Sequence, residues 1–419
     1  MPFLFVLYII SFLDRINISF AGLDMTRELG FSDKVFGFGS GIFFVGYVLL
    51  EIPGSVLVEV WSARKWIARI MISWGLVASL TGFVHTAPQF YWARFLLGVA
   101  EAGFFPGVIV YLTHWYRDED RAKAVGMFMS AIPISEIIGA PLSGLLLNIH
   151  WLGLSGWRWL LILEGVPAFI FGWITLFYLT DRPKDARWLA GDERAWIIGE
   201  LEREKQLKAL RPKLSVWQSL LHREVILLTL VYFTGSTAQY GFSLFLPKMI
   251  QKLSGFSSFT VSMIAAIPFV ASFPAMLLLG WSSDRTGERR WHTAAAYAAT
   301  AIGLAGGLMT GNKIVLSVVM FSLVAIGVNA RFPAFWTLPA SLLGGAGAAA
   351  SIGAINCFGN LGGFFGPYLV GALSTSSGSY AAGILCLAGI SVIGAVLILL
   401  VRGASSAESS APARGASSG

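Results

Sequence analysis

The chain has 419 residues, of which 56% are hydrophobic and only 13% are charged, and its mean hydropathy is +0.70. Because soluble domains contain about 25% charged residues, this composition excludes a soluble globular protein and indicates one that crosses the membrane repeatedly. The net charge of +7 would suit a nucleic-acid partner, but the basic residues lie mainly in loops between apolar runs, which argues against nucleic-acid binding.

Twelve apolar runs predict twelve transmembrane helices, since about twenty apolar residues span a bilayer. We number these runs spans 1 to 12. They cover residues 2–21, 35–58, 66–85, 90–115, 124–149, 157–179, 225–250, 258–281, 291–309, 314–339, 349–373 and 380–401. The sequence therefore predicts an all-α membrane protein.

The spans fall into two groups of six, which predicts two pseudo-symmetric six-helix bundles at 1–180 and 224–402. Between them, residues 181–223 alternate acids and bases, a pattern typical of a solvated, partly helical cytoplasmic linker. Residues 403–419 are rich in Ala, Ser and Gly, which predicts a disordered cytoplasmic tail.

Most of the 30 Lys and Arg residues fall on the side of the predicted bundle that holds the N-terminus. The positive-inside rule then places both termini in the cytoplasm of a multi-pass inner-membrane protein. We call the two ends of the bundle the predicted inner and outer ends. Span 1 begins almost at the first residue, so we expect a short cytoplasmic leader to precede it in the native protein. The cysteines, Cys357 and Cys386, lie within spans and indicate core packing rather than a disulfide or a metal site.

The two halves repeat each other. The segment at 62–66 recurs at 287–291, and three glycines recur at nearly the same offset: Gly126, Gly139 and Gly144 correspond to Gly353, Gly366 and Gly371. Parallel six-helix repeats with a binding site between them are one design of membrane transporter.

The loop between spans 8 and 9 reads GWSSDRTGERR at 280–290. It matches the G-x-x-x-D-R-x-G-x-R-R signature of the major facilitator superfamily at every fixed position. The resemblance implies a cytoplasmic latch in which Asp284 faces a helix N-terminus, with Arg285 and Arg289 as basic partners. The first-half copy keeps Arg64 but has Glu59 in place of the acid, so we expect a weaker or differently built latch there. Basic residues that only set the topology are the alternative.

Charged residues inside the spans indicate transport. Span 1 carries Asp14 and Arg15, and span 4 carries Arg94 and Glu101. A charge near the bilayer centre costs at least about 2.5 kcal/mol, so such residues persist mainly where they face a wet cavity. Arg94 and Glu101 lie two turns apart, about 10 Å along one helix face, which suits one cavity wall. A structural salt bridge between spans 1 and 4 is the alternative.

Three stretches, at 14–19, 94–107 and 356–367, together with 156–165 and 179–183, resemble the anion:cation symporter family of that superfamily. The resemblance is strongest to the bacterial branch that takes up sugar acids, tartrate and aromatic carboxylates. It implies the major facilitator fold and inward symport of an organic anion with protons. By this resemblance Asp14 and Glu101 carry protons, Arg15 binds substrate and Arg94 tunes Glu101.

Five neutral residues match positions where relatives contact substrate, with packing as the alternative: Tyr47, Gln239, Tyr240, Trp336 and Asn356. Arg331 in span 10 is a third intramembrane arginine. It either binds a second anionic group of the substrate, pairs with Glu136 of span 5, or faces a helix end. Arginine suits carboxylates because its planar fork pairs with both oxygens and keeps its proton.

Other acids and other functions fit less well. We interpret Glu51 as a gate or packing residue and Glu164 as structural. A drug:proton antiporter is the first alternative, but the segment at 139–144 lacks the G-P pair of such pumps. An uncoupled facilitator needs no buried protonatable acids, so Asp14 and Glu101 argue against it. An enzyme would need a nucleophile–base pair, a metal-ligand spacing or a phosphate loop, and the sequence shows none of these patterns. We predict a monomer in the lipid bilayer that binds a small organic anion and protons without cofactor or metal.

Overall fold

In this computed structural model, the structure describes residues 1–209, 221–342 and 346–402, and these residues contain helices but no β-strand. The α-helices are numbered in chain order. They are α1 Pro2–Glu28, α2 Asp33–Val60, α3 Ala63–Thr81, α4 Ala87–Glu101, α5 Phe104–Thr113, α6 Asp118–Met129, α7 Ala131–Leu146, α8 Gly156–Tyr178, α9 Gly191–Ala209, α10 Arg223–Ser254, α11 Ser258–Thr286, α12 Arg290–Met309, α13 Ile314–Leu342, α14 Ala346–Asn360, α15 Gly362–Ser377 and α16 Ala381–Leu400, with a 3-10 turn at Pro183–Asp185.

Helices occupy all twelve predicted spans. Spans 4, 5 and 11 each consist of two consecutive helices, namely α4–α5, α6–α7 and α14–α15. Within the described residues, nine helical stretches are long and apolar enough to cross a membrane, and they correspond to spans 1, 2, 4–8, 10 and 12. The predicted linker contains the charged helix α9, whereas the predicted disordered tail at 403–419 lies outside the described residues.

The break in span 4 sets the position of Glu101. Helix α4 ends at Glu101 because Ala102 is extended and Gly103 adopts φ +83°. Glycine populates this left-handed region freely, and a side chain there would also lie 3.0 Å from the Cα atom of Gly54. The turn therefore places an acidic side chain at a helix end in the middle of the bundle.

Packing is dense within each half. In the N-terminal half span 3 packs on span 6, span 2 on span 4, and span 1 on spans 5 and 6. In the C-terminal half spans 9 and 10 pack together, and spans 11 and 12 lie against span 7. The halves meet mainly through three pairs of spans, 2 with 11, 5 with 8 and 1 with 7. The cavity between the halves is lined by residues of spans 1, 2, 4, 5, 7, 10 and 11.

At the predicted outer end the halves meet backbone to backbone. A Cβ atom on Gly37 of span 2 would lie 2.2 Å from the carbonyl oxygen of Pro367, and one on Gly371 would lie 2.2 Å from that of Asp33. The Asp33 carboxylate also accepts hydrogen bonds from Lys248 Nζ at 2.7 Å and from Ser374 Oγ at 2.8 Å. This end of the bundle is closed.

At the predicted inner end the gate residues bond within their own halves. Arg289 binds Asp284 at 2.6 Å and Ser283 Oγ at 3.0 Å, both in the C-terminal half. The guanidinium of Arg285 lies over the ring of Trp281 at 5.4 Å.

The first-half latch is built differently. Arg64 donates its backbone N–H to Asp181 at 2.8 Å, and Ser62 Oγ donates to the same carboxylate at 2.8 Å. In the predicted first-half latch, the acid that bonds Ser62 and Arg64 thus comes from the start of the predicted linker. The side chain of Glu59 lies outside the described residues.

Candidate functional site

A cavity lies between the two halves at mid-depth. Seven of the ten predicted coupling and binding residues line it: Arg15, Tyr47, Glu101, Gln239, Tyr240, Trp336 and Asn356. Phenylalanines and tyrosines from both halves form much of the remaining wall. The cavity is thus largely aromatic, with a few polar groups that converge from different spans, as is typical of small-molecule sites.

An ion pair joins the two charged residues of this cavity. Arg15 Nη2 of span 1 donates to Glu101 Oε1 of span 4, and Ser11 Oγ donates to the same oxygen at 3.0 Å. The side chain of Glu101 is 2% exposed and that of Arg15 is 11% exposed. The predicted substrate-binding cation is therefore held by one of the two predicted proton-carrying acids.

Aromatic rings surround the Arg15 guanidinium. Its central carbon lies 5.0 Å from the ring centre of Phe12, 5.5 Å from that of Phe43 and 5.4 Å from that of Tyr47. Its Nη1 donates to the Tyr240 hydroxyl at 3.4 Å, across the interface between the halves. Ring faces stabilise a desolvated cation by about 0.5–2 kcal/mol each, so Arg15 can keep its charge when its carboxylate partner changes.

Asp14 and Arg94 lie behind the cavity wall. Asp14 is 2% exposed and accepts a hydrogen bond from Asn17 Nδ2 at 3.1 Å. Successive residues on an α-helix point about 100° apart, so the neighbours Asp14 and Arg15 face different sides of span 1. Arg94 is also buried, lies over the ring of Phe43 at 5.1 Å and makes no ion pair within 4.0 Å with a described residue. The shared cavity wall expected for Arg94 and Glu101 thus contains only Glu101.

Arg331 lies one layer behind the cavity on the opposite side. Its Nη2 donates to Gln239 Oε1 at 2.9 Å, and its Nη1 donates to the carbonyl oxygen of Val328. Of the alternatives left open by the sequence, Arg331 makes no salt bridge to Glu136 in this structure, and that carboxyl accepts a hydrogen bond from Asn329 Nδ2 at 3.0 Å. Arg331 instead fixes the orientation of an amide that lines the cavity.

Glu51 and Asn356 connect the halves beside the cavity. Asn356 Nδ2 donates to Glu51 Oε1, which joins span 11 to span 2. The predicted role of Glu51 in gating or packing fits this contact, and Asn356 also lines the cavity.

Several lining residues were not predicted, among them Tyr8, Ser11, Tyr232 and Asn360. Tyr8, Ser11 and Arg15 recur at helical spacing on span 1, so the period of the helix could have identified the first two. Asn360 lies four residues after Asn356 and Tyr232 lies seven residues before Gln239, so the same helical spacing relates them to predicted site residues. Among the described residues no group of three His, Cys, Asp or Glu side chains could hold a metal ion.

Comparison with known families identifies the architecture. A sequence model of the Major Facilitator Superfamily matches residues 4–367 of the chain. A bacterial homologue of the human lysosomal transporter Spinster, solved in an inward-facing and occupied conformation, superposes with a TM-score of 0.74 over 96% of this chain and 95% of that chain, at 16% identity. The predicted fold, with twelve helices in two six-helix bundles, is confirmed.

Two bacterial proteins are similar along nearly the whole chain. A protein of Agrobacterium vitis named "Putative tartrate transporter" is 45% identical over 402 residues, which cover 96% of this chain and 92% of the relative. The "Quinolone resistance transporter" of Acinetobacter baumannii is 36% identical over 403 residues, which cover 96% and 91%.

Proposed function

Because the chain belongs to the major facilitator superfamily, a family of membrane transporters and not of enzymes, we propose that it takes up a small organic anion together with protons by alternating access. The substrate class is a carboxylate such as tartrate, a sugar acid or an aromatic acid. The membrane is the bacterial inner membrane, with both termini in the cytoplasm.

The observation that carries this proposal is the ion pair between Arg15 and Glu101 at the cavity wall. An ionised Glu101 occupies Nη2 of Arg15, one of the donors that a bidentate substrate carboxylate needs. A proton on Glu101 removes that negative charge and frees the donors of Arg15, which itself cannot lose a proton. Proton binding and anion binding therefore favour each other, and this linkage is what a symporter requires.

The surroundings of the pair support a carboxylate substrate. Arg15 can offer two parallel N–H donors, a geometry that matches a carboxylate. Gln239, Tyr240 and Asn356 supply neutral donors and acceptors on the opposite wall. Phe12 lines the cavity where the family resemblance implies a tyrosine in relatives, which favours a substrate with fewer hydroxyl groups. The name of the Agrobacterium vitis relative supports the class of organic acids.

The closed outer end fits one step of an alternating-access cycle. The Arg15–Glu101 pair lies within one half, between spans 1 and 4, so a substrate-free carrier with this pair formed has no net charge at Glu101 and Arg15 to move across the membrane. The conformational change that returns the empty carrier then costs little free energy, whereas a buried arginine without an ion pair would raise that cost.

Uptake into right-side-out membrane vesicles tests the proposal. A thermal-shift screen of organic acids first selects the ligand, because binding stabilises the folded protein by mass action. Accumulation of the selected acid should rise with an inward proton gradient and collapse with a protonophore. Accumulation that is insensitive to the protonophore would exclude proton symport, and equilibration without accumulation would indicate a facilitator.

Drug export by proton antiport is the second candidate, because the Acinetobacter baumannii relative is a quinolone resistance transporter. Export predicts that expression lowers quinolone accumulation in cells and that an outward-directed drug flux acidifies the vesicle interior or cytoplasm. Uptake predicts neither, so the two functions separate in the same preparation.

A further inference from the structure

A second cavity lies at the predicted outer end, beside the closed contact between the halves. It has a volume of about 500 Å³ and is lined by the last turns of α1 and α10, together with Phe31 and Tyr380. Helix α1 belongs to the N-terminal half and α10 to the C-terminal half, so both halves contribute to this cavity. We call it the entrance cavity.

The charged groups that line the entrance cavity are cations. Arg27, Lys248 and Lys252 border it, and among the described residues no acid does. Lys252 Nζ donates to the carbonyl oxygen of Gly378 at 2.7 Å, a neutral partner, and lies 5.1 Å from the ring centre of Tyr380. Three cations around one cavity produce a positive potential that attracts small anions.

Two acids next to the entrance cavity are already bonded. Asp24 Oδ1 accepts a hydrogen bond from Ser258 Oγ at 2.9 Å and lies 3.8 Å from Arg27 Nη1. Asp33 Oδ1 accepts from Lys248 Nζ at 2.7 Å. Since neither carboxylate is among the lining residues, the cations keep their positive potential on the cavity side.

Lys248 must exchange its partner when the outer end opens. Asp33 belongs to the N-terminal half and Lys248 to the C-terminal half, so separation of the halves breaks their salt bridge. The side chain of Lys248 is 9% exposed, and its Nζ lies 4.6 Å from the ring centre of Phe36, also in the N-terminal half. An ammonium that loses both neighbours while it is still largely buried raises the barrier to opening, because a buried charge needs a partner.

We propose that the entrance cavity binds the carboxylate of the incoming substrate, and that this carboxylate replaces Asp33 as the partner of Lys248 while the outer end opens. An ammonium has three N–H donors, so Lys248 can bond the arriving anion before it releases Asp33. The entrance cavity is then a second anion site, separate from Arg15. The proposal rests on the organic-anion uptake proposed above.

The lining residues fit a small acid with two carboxylates. Lys248 and Lys252 lie four residues apart on one face of α10, about 6 Å along the helix axis, so each can bond a different carboxylate of one molecule. The Gln251 amide adds a neutral donor. A lipid phosphate offers the same charge as such an acid, and the measurements below distinguish the two.

Uptake kinetics in right-side-out membrane vesicles test the entrance cavity first. Lys252→Gln should raise the KM for external tartrate about three-fold and leave the maximal rate unchanged, because it weakens attraction at the entrance and leaves the Arg15 site intact. This difference should shrink as salt screens the charges. Lys313→Gln, at an exposed lysine of the outer loop between spans 9 and 10, is the matched control and should keep the wild-type KM. An unchanged KM in Lys252→Gln at low salt would contradict the proposal.

Labelling of Ser40→Cys tests the opening itself. Ser40 is 0% exposed and lies four residues after Phe36 and seven before Tyr47, on the face of span 2 between the outer closure and the central cavity. External tartrate should raise the rate at which an uncharged, membrane-impermeant maleimide labels this cysteine by about two-fold or more, because tartrate favours the open state. The rise should persist when Arg15→Lys is added, since the entrance cavity does not use Arg15, and Lys252→Gln should abolish it.

No rise in Ser40→Cys, or a rise that survives Lys252→Gln, would overturn the proposal. Labelling of the wild-type protein gives the background that is subtracted. A lipid phosphate is present in these membranes throughout, so an entrance cavity filled by lipid would show no response to added tartrate, and that outcome also overturns the proposal.

The two proposals fail in different ways. If wild-type uptake ignores the proton gradient, or if tartrate is not accumulated, the proposed function is wrong, and the labelling of Ser40→Cys still tests the entrance cavity because it needs no transport. If uptake follows the gradient and Lys252→Gln changes neither KM nor labelling, only the entrance cavity is wrong.

Discussion

The two halves of the molecule differ in how they use charge inside the membrane. Among the described residues, the N-terminal half buries seven charged side chains: Asp14, Glu51, Arg94, Glu101, Glu136, Arg158 and Glu164. The C-terminal half buries three, namely Arg331 and, near the ends of span 7, Glu224 and Lys248. Its cavity wall consists of amides and aromatic rings.

This difference indicates that proton binding acts within the N-terminal half. The Arg15–Glu101 pair lies wholly within the N-terminal half, so a rocking motion of one half against the other does not break it, whereas a proton does. Across the interface, charged side chains mostly bond neutral partners, as Glu51 does with Asn356 and Glu136 with Asn329. Among the described residues, Asp33 and Lys248 form the salt bridge that joins the halves, and it lies at the end that must open to admit substrate.

The largest expected effect comes from Arg15, whose charge we propose binds the substrate. Arg15→Lys should weaken anion binding by ten- to a hundred-fold, because an ammonium cannot replace a bidentate fork and charged hydrogen bonds contribute about 1.5–3 kcal/mol. Thermal shifts with the selected acid measure the affinity. Arg69→Lys, at an arginine stacked on Trp66 outside the cavity, is the control. Unchanged affinity in Arg15→Lys would remove Arg15 from the binding site.

The second effect separates proton coupling from binding. Glu101→Gln should abolish accumulation against a gradient while anion exchange between loaded vesicles continues, because the amide mimics the protonated acid and leaves Arg15 free. Uptake and counterflow assays on the same vesicles measure both. Loss of exchange as well as accumulation would assign Glu101 to folding or to binding.

The third effect tests the closed outer end. Gly37→Ala should reduce uptake about ten-fold, because its methyl group would overlap the Pro367 carbonyl and the outer end could not close. Gly389→Ala is the matched control, since no atom lies within 4 Å of an added Cβ there. Labelling of a cysteine introduced at the outer end should rise in Gly37→Ala. If labelling does not rise, span 2 does not need this close contact to shut the cavity.

The smallest expected effect comes from Tyr240, a neutral residue of the C-terminal half. Tyr240→Phe removes the hydroxyl that accepts from Arg15 at 3.4 Å, and affinity should fall about three-fold or less, since the net contribution of a long hydrogen bond is at most about 1 kcal/mol. Binding assays measure the change. A loss of affinity as large as that of Arg15→Lys would show that the C-terminal half contributes as much to anion binding as Arg15 does.

The fold could be predicted from the sequence because its signals are local. Twelve apolar runs, the repeated glycines and the motif at 280–290 each depend on residues close together in the chain. The charged residues of spans 1 and 4 were identified for the same reason, since a charge in an apolar run stands out without any structure. The position of Glu164 was visible too, but its hydrogen bond from Ser143 was not.

The sequence by itself determined the membrane architecture and which residues are chemically active within it. Only the tertiary structure decided that Glu101 pairs with Arg15, that Asp14 and Arg94 lie behind the wall, and that Gln239 separates Arg331 from the cavity. The physical reason is that the sequence alone does not determine how each helix is rotated about its own axis. Spacing along a helix determines which residues share a face, but the packing of neighbouring helices determines which face borders the cavity and which faces another span.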